Sequence, residues 1–224
     1  RSYSFSFTEP WLGGKRPNSL SVSLSRSAQS PSSSASSYYS SLYASSGTFK
    51  VTNATVSLAK RLIGLDRQFT LANSLGYSYY ELKNYSIGTF LNPNTGSYEI
   101  LNSGNFNNFN FNATLSRNSL DQTTYPTSGT SLSLSMALTP PYSLFKSAAK
   151  LSSETNAERF KFVEYHKWMI DYSYFTKIVG KLVVNTRAHF GVLGSYNSKI
   201  GPGPFERFKL GGNGLTGMNF ILGY

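Results

Sequence analysis

Two short stretches near the start of the chain determine how it folds. Residues 2–7 read SYSFSF and residues 19–25 read SLSVSLS. In both, an apolar residue occupies every second position and serine fills the others. Because successive side chains of a β-strand point to opposite faces, this period of two predicts strands with one apolar face and one polar face.

The same alternation continues to the far end of the chain and predicts eight strands. Several of these runs extend over about 9 to 15 residues, which suits a tilted membrane strand better than a typical soluble strand of about five or six. The apolar positions of the eight predicted strands are Tyr3, Phe5 and Phe7; Leu20, Val22 and Leu24; Ala54, Val56 and Leu58; Phe69, Leu71, Leu75, Tyr77 and Tyr79; Phe109, Phe111, Ala113 and Leu115; Leu132, Leu134, Met136 and Leu138; Trp168, Ile170, Tyr172 and Tyr174, preceded by Phe160 and Phe162; and Leu182, Val184, Ala188, Phe190 and Val192.

The predicted connections alternate between short and long. Short links are expected around residues 10–17, 61–67, 119–129 and 176–180, and long links around 27–47, 84–107, 139–159 and from 195 onward. An up-and-down membrane barrel has short periplasmic turns and longer external loops, whereas a Greek-key sandwich has no reason to keep that rhythm. The Ser- and Tyr-rich residues 30–46 and the Asn- and Gly-rich residues 84–108 are therefore interpreted as external loops.

The composition agrees with a membrane barrel. Of the 224 residues, 15% are aromatic and only 14% are charged, against about 25% charged residues in a soluble domain. No segment reaches the roughly 18 to 20 uninterrupted apolar residues of a membrane-spanning helix. If the chain meets lipid it does so as strands, because only helices and closed barrels pair every backbone polar group inside a bilayer.

The net charge of +11 first suggests nucleic acid. The 21 Lys and Arg residues are scattered, however, with no run longer than a pair such as Lys60-Arg61. Contact with anionic lipid headgroups or a hydrated lumen explains them better, and no nucleic-acid partner is predicted. The chain has no cysteine, so disulfides and thiolate metal sites are excluded. It begins at Arg1 without a signal peptide, which predicts processing or a longer parent protein.

Catalytic and metal-binding patterns are weak. The two histidines, His166 and His189, do not lie in a motif with a serine and an acid, and no G-x-S-x-G elbow occurs. We therefore predict no enzyme activity, no catalytic residues, no metal site and no cofactor. His189 alternates with apolar neighbours and is expected to face a lumen. A passive porin or uptake channel is the stronger competitor, because its strands alternate in the same way.

Three motifs in chain order resemble the BamA family of outer-membrane protein assembly factors from Gram-negative bacteria. Residues 6–12, SFTEPWL, resemble a strand end of the form S-[FV]-T-[DEN]-P-[YW]. Residues 118–121, NSLD, followed by YPTSGT at 125–130, are similar to a short turn of the family. Residues 204–212, PFERFKLGG, resemble the start of a long loop that folds back into the barrel. The matching positions are Glu9, Pro10 and Trp11; Asp121, Tyr125, Pro126 and Gly129; and Phe205, Glu206, Phe208, Gly211 and Gly212.

The resemblance covers essentially the whole chain, and its E-P-W-L-G-G wording is typical of Bacteroidetes members. It implies an all-β fold, with about eight consecutive strands of a 16-stranded antiparallel transmembrane β-barrel. Residues 1–224 would form part of one barrel domain without a separate soluble domain, and residues 197–224 would begin the inward loop. The family signature [VIL]-R-G-[FY] is incomplete here: residues 215–218, which include Gly217, share its outline but lack the arginine. Either the arginine is replaced in this chain or an insertion places it after Tyr224, and we favour the insertion.

The family's function implies a role for this chain. It would fold and insert outer-membrane proteins in the bacterial outer membrane, with unfolded client proteins, the accessory lipoproteins of the BAM complex and outer-membrane lipids as partners. TamA and the two-partner secretion transporters share the turn and the glycine pair, so they remain alternatives. The inward loop would be anchored by Phe205 and Phe208, and loss of Gly211 or Gly212 would impair function more than changes within residues 30–46.

Overall fold

Eight long strands make up most of the described part of the chain. The computed structural model describes residues 1–14, 18–29, 47–62, 64, 68–85, 89–91, 96–146, 154–197, 200–201, 203 and 205–208. The strands are β1 (Ser2–Glu9), β2 (Asn18–Gln29), β3 (Thr48–Arg61), β4 (Phe69–Lys83), β5 (Thr89–Leu91), β6 (Tyr98–Ile100), β7 (Gly104–Asn118), β8 (Gly129–Leu138), β9 (His166–Val179) and β10 (Leu182–Gly194). The two short strands, β5 and β6, form a separate hairpin within the link between β4 and β7.

The eight long strands form one antiparallel sheet in the order β1-β2-β3-β4-β7-β8-β9-β10. Each strand pairs with the next long strand along the chain, which is the up-and-down connectivity predicted from the link lengths. Their lengths run from 8 residues in β1 to 15 residues in β4 and β7. In the described residues β1 and β10 are the two edges, so the sheet is open, as expected for one part of a larger barrel.

The structure corrects two predicted boundaries. The link expected at residues 176–180 is instead strand as far as Val179, and β9 and β10 are joined by a tight turn at Gly180 and Lys181. Phe160 and Phe162, which were expected to lead into the seventh long strand, lie before β9 begins at His166. Phe160 is buried in a cluster that includes residues of β3, β4 and β7, and Phe162 forms an isolated bridge with Asn107 of β7, so neither belongs to a long strand.

One face of the sheet is apolar from edge to edge. The register places Phe7, Val22, Val56 and Leu75 side by side on β1 to β4, and Phe111 continues the row on β7. Side chains of this size are exposed along every long strand. A soluble monomer rarely exposes an apolar patch beyond a few hundred Å², so this face requires an apolar environment. We call it the apolar face.

The opposite face, which we call the polar face, is lined mostly by small polar residues. Ser6, Ser23, Thr55, Gly76 and Asn110 form one of its rows. At the end of the sheet where the long links emerge, this pattern changes and a buried apolar cluster covers the face. We call these residues the end cluster: Phe49, Val51, Leu82 and Phe106 from the strands, and Leu101, Phe160, Val163, Tyr165 and Ile200 from the links.

The short link at residues 119–128 is held by one carboxylate. Asp121 accepts hydrogen bonds from the backbone N–H of Thr127 (3.0 Å), from its hydroxyl (2.5 Å) and from the N–H of Ser128 (3.2 Å). These donors hold the pKa of Asp121 below its usual value. Gly129 follows with φ of 110°, and a Cβ there would meet the carbonyl oxygen of Ser119. Glycine is therefore required where this link re-enters the sheet.

The helical segments are short. In the part of the chain that the structure describes, they comprise 3-10 turns at Leu12–Gly14 and Tyr142–Phe145 and one helix, α1 (Asn156–Arg159). No helix among the described residues has both the length and the apolar character needed to cross a membrane.

We expect Gly129→Ala to destabilise the full-length protein by about 2 kcal/mol or more, because the new Cβ would clash with backbone at a positive φ. Gly180→Ala is the matched control: its φ is 56°, but a Cβ there meets nothing within 4 Å. The control should cost only about 1 kcal/mol. Guanidinium unfolding in vesicles measures both, and equal losses would contradict a steric role for Gly129.

Candidate functional site

The candidate site is the segment of residues 205–208, which lies on the polar face beside the end cluster. It follows β10 in the chain, yet its side chains contact residues of β4, β7, β9 and β10. We call this segment the loop anchor. It is built from three of the residues that the sequence singled out: Phe205, Glu206 and Phe208.

Phe205 is held between aromatic rings of two strands. Its ring stacks on Tyr80 of β4, with centroids 4.3 Å apart and an interplanar angle of 3°. It also contacts Phe106 of β7 in a tilted arrangement at 5.3 Å. Aromatic pairs at these distances contribute about 0.5–1.5 kcal/mol each beyond the area they bury. Phe205 therefore joins the loop anchor to the end cluster.

Glu206 is held by two polar side chains of the sheet. Asn108 of β7 donates from Nδ2 to Glu206 Oε1 at 3.2 Å, and Lys167 of β9 donates from Nζ to the backbone carbonyl of Glu206 at 3.3 Å. Burial raises the pKa of the Glu206 carboxyl, and the positive charge of Lys167 and the Asn108 hydrogen bond oppose that shift. Burial, with the nearby Glu206 charge adding to it, raises the pKa of Tyr165 as well.

Phe208 is held by the ammonium of Lys167 and fits into the space that Gly191 leaves. The ammonium of Lys167 lies 4.6 Å from the centroid of the Phe208 ring, within the range of a cation–π contact. On β10, a Cβ added to Gly191 would come within 2.5 Å of the ring atom Cζ of Phe208. The absence of a side chain at Gly191 thus makes the space that the ring occupies. Lys167 contacts both Glu206 and Phe208, so it is the central residue of the sheet side of the site.

The other predicted site residues lie elsewhere. Gly211, Gly212 and Gly217 are outside the described residues. Trp11 N–H donates to Glu9 Oε1 at 3.2 Å in the link after β1, which also contains Pro10. Of the remaining motif residues, Asp121, Tyr125 and Pro126 belong to the link between β7 and β8, and Gly129 is the first residue of β8. The motifs around Pro10 and around Asp121 thus lie at the short-link end of the sheet, whereas the loop anchor lies at the long-link end. The three motifs therefore do not form one site.

The partner residues of the loop anchor were missed by sequence reasoning. They are Tyr80, Phe106, Asn108, Lys167 and Gly191. A usable signal exists for two of them: Tyr80 and Phe106 occupy polar-face positions that elsewhere carry Ser, Thr or Asn. Large aromatic residues at such positions indicate that something packs on the polar face there. No such signal marks Asn108, Lys167 or Gly191.

A second polar cluster occupies the polar face of β9 and β10. Asp171 Oδ1 lies 2.6 Å from Nδ1 of His189 and 3.4 Å from Nη2 of Arg187. His189 thus faces the polar side, as its alternation suggested. Ser133 of β8 is the register partner of Asp171, on the other side of the carboxylate from the histidine. A nucleophile would need to neighbour the histidine, so this order does not form a catalytic triad. Among the described residues, no three His, Cys, Asp or Glu side chains form a metal-binding group.

We expect Phe205→Ala to release the loop anchor, because it removes the ring contacts with Tyr80 and Phe106. A loss of about 2 kcal/mol corresponds to roughly thirtyfold faster amide exchange at residues 205–208. Hydrogen exchange on the full-length protein measures this. Tyr125→Ala is the control, since Tyr125 is 87% exposed in a turn at the other end of the sheet. Unchanged exchange in Phe205→Ala would refute the anchoring role.

We also expect the loop anchor to tighten as pH falls. The pKa of Glu206 is raised when the segment is docked, so docking is most stable below the ordinary Glu pKa of about 4.3 and weakens as pH rises through the raised value. Glu206→Gln should abolish this slope in the hydrogen exchange of residues 205–208, after correction for intrinsic rates. Glu158→Gln should keep it, because the pKa of that exposed carboxyl is lowered by hydrogen bonds from Thr155. An opposite slope in the unmodified protein would contradict the prediction.

Comparison with known proteins agrees with this architecture. A family model, the Omp85 superfamily domain, matches residues 1–216. Among solved structures, BamA from Haemophilus ducreyi lacking POTRA domains 1–3 superposes with a TM-score of 0.61 at 19% sequence identity. That match covers 95% of this chain but only 36% of the other, so the chain spans about a third of its length. Sequence comparison with curated proteins gives no match. The family match covers nearly the whole chain, and the chain belongs to the Omp85 superfamily.

Proposed function

We propose that this chain is part of the barrel wall of a BamA-type assembly factor, which folds and inserts β-barrel proteins into the bacterial outer membrane. Membership of the Omp85 superfamily supports an insertion or transport function in general. The barrel fold shared with BamA supports the same class. The choice of assembly over transport rests on the loop anchor.

The loop anchor is the observation that carries this proposal. Within a barrel, the polar face would line the lumen, and the segment after β10 would be fixed against that lining by Phe205, Glu206 and Phe208. Two ring contacts, two hydrogen bonds and a cation–π contact hold it to three strands, β4, β7 and β9. A passive channel benefits from an open lumen, whereas a protein that must keep its wall in shape while a seam opens benefits from an internal brace.

The apolar face supplies the membrane part of the proposal. On β4 it runs from Phe69 to Tyr79, interrupted only by Asn73. At about 3.3 Å per residue and a tilt of about 40°, this stretch spans roughly 25 Å, which matches the apolar band of outer-membrane barrels. Lipids of the outer membrane are therefore partners of this face.

The protein partners follow from the same function. An insertase of this type would present an exposed strand edge that pairs with a strand of an unfolded client, which is β-augmentation. The accessory lipoproteins of the complex would bind the same protein. This chain would contribute wall strands and the beginning of the internal loop.

We expect the full-length protein in phosphatidylcholine vesicles to accelerate the folding of a urea-unfolded outer-membrane barrel. The heat-dependent gel shift of the folded client measures the rate. The double substitution Phe205→Ala/Phe208→Ala should slow it about thirtyfold or more, since the loss of about 2 kcal/mol expected for Phe205→Ala alone changes the ratio of docked to undocked protein by that factor. Tyr125→Ala should leave the rate unchanged.

Planar-bilayer conductance separates the competing functions. A steady large conductance combined with no acceleration of client folding would identify a porin and refute the proposal. Transport of a secreted client across the vesicle membrane, without insertion of a barrel client, would instead identify a two-partner secretion transporter.

A further inference from the structure

A group of charged residues stands on the apolar face at the end of the sheet where the long links emerge. The strand register places four charged residues on the same face as the apolar rows: Arg26 of β2, Lys50 of β3, and Glu81 and Lys83 of β4. Lys83 Nζ lies 3.1 Å from Glu81 Oε1, and Lys50 Nζ lies 3.7 Å from the same oxygen. Arg26 is near enough to interact electrostatically with that carboxylate. We call these four residues the rim cluster.

The rim cluster carries a net positive charge that its surroundings do not neutralise. Three cations share the single carboxylate of Glu81, which leaves a net charge of +2 by simple addition. In the sequence, β2, β3, β4 and the link at residues 30–46 contain no other Asp or Glu. The link at residues 84–103 contains only Glu99, which interacts with Arg159. The side chain of Lys83 is 67% exposed, so its ammonium is open to a ligand.

The position of the rim cluster indicates the chemical class of that ligand. Arg26 is in register between Tyr3 and Thr52, and the row continues to Tyr79. One step further into the apolar face, the next row contains Phe5, Leu24, Ala54 and Tyr77 on the same strands. Cations at the level of an aromatic girdle, with apolar side chains directly beside them, match a molecule that has an anionic head and acyl chains.

We propose that the rim cluster binds a phosphorylated lipid of the external leaflet. Its phosphate groups would bind Arg26, Lys50 and Lys83, and its acyl chains would lie along the apolar rows of β2 to β4. The planar guanidinium of Arg26 can donate two parallel hydrogen bonds to one phosphate, while each lysine acts as a point charge. Glu81 holds the two lysines together and at the same time weakens the attraction for an anion.

This inference goes beyond the proposed insertion function and depends only on the sheet facing lipid. The long links identify the rim cluster as external, since membrane barrels place their long loops on that side. Client folding in phosphatidylcholine vesicles requires no such lipid, so the two proposals can fail independently.

Native mass spectrometry of the full-length protein in detergent tests the site, with diphosphorylated lipid A as the probe. Each Lys or Arg near an anionic headgroup changes affinity roughly fivefold, about 1 kcal/mol. The triple substitution Arg26→Gln/Lys50→Gln/Lys83→Gln should therefore weaken binding by at least about tenfold, and monophosphorylated lipid A should bind less tightly than the diphosphorylated form. Lys60→Gln is matched to Lys50→Gln: it removes an exposed lysine from the same face of β3 at the opposite end, and should have no effect.

The substitution Glu81→Gln gives a test that a purely structural role would not pass. It removes the competing carboxylate, so lipid A should bind several-fold more tightly. Equal binding by the triple variant and the unmodified protein would overturn the proposal. So would an equal loss in Lys60→Gln and Lys50→Gln, which would indicate unspecific charge attraction. Displacement of lipid A by an equal concentration of inorganic phosphate would overturn the lipid assignment, because it would show an anion site indifferent to acyl chains.

Discussion

The antiparallel ladder that joins β1 to β10 is the constraint on which every other feature depends. Inside a bilayer no water is present to satisfy a backbone N–H or C=O, so each strand must pair with its neighbour along its length. The side-chain period of two then makes register decisive, because a slip of one residue moves a strand's whole apolar set to the other face. Rows such as Phe7, Val22, Val56 and Leu75 show one register kept across the strands. The lipid-facing side, the rim cluster and the polar wall all follow from it.

At the long-link end, the polar face carries large aromatic residues, and these hold the loop anchor. Phe49, Tyr80 and Phe106 replace the small polar residues found elsewhere, and Phe205 packs against Tyr80 and Phe106. Burying Glu206 in this setting has a desolvation cost, which the Asn108 hydrogen bond and the charge of Lys167 partly offset.

The two faces of the sheet therefore carry different functional groups of residues. The polar face carries the loop anchor and the Asp171–His189 pair, which concern what happens inside a barrel. The apolar face carries the aromatic and aliphatic rows that meet lipid, and the rim cluster at the end of the sheet where the long links emerge. Because both sets of residues lie on the same strands, a change in strand register or twist alters the two faces together.

The alternation in stretches such as SYSFSF was sufficient to predict eight strands, their faces and the rhythm of short and long links, because strand periodicity is a local property of the backbone. The predicted short link around Asp121 lies between β7 and β8, and the motif residues Phe205, Glu206 and Phe208 lie in the segment that packs on the polar face. The sequence did not predict the end of β9, the position of Phe160 or the partners of the loop anchor. Lys167 contacts Glu206 and Phe208 across 39 residues or more of chain, and Lys50 meets Glu81 only because β3 and β4 are in one particular register. Such contacts depend on which strands become neighbours and how a loop returns to them, and only the folded sheet decides that.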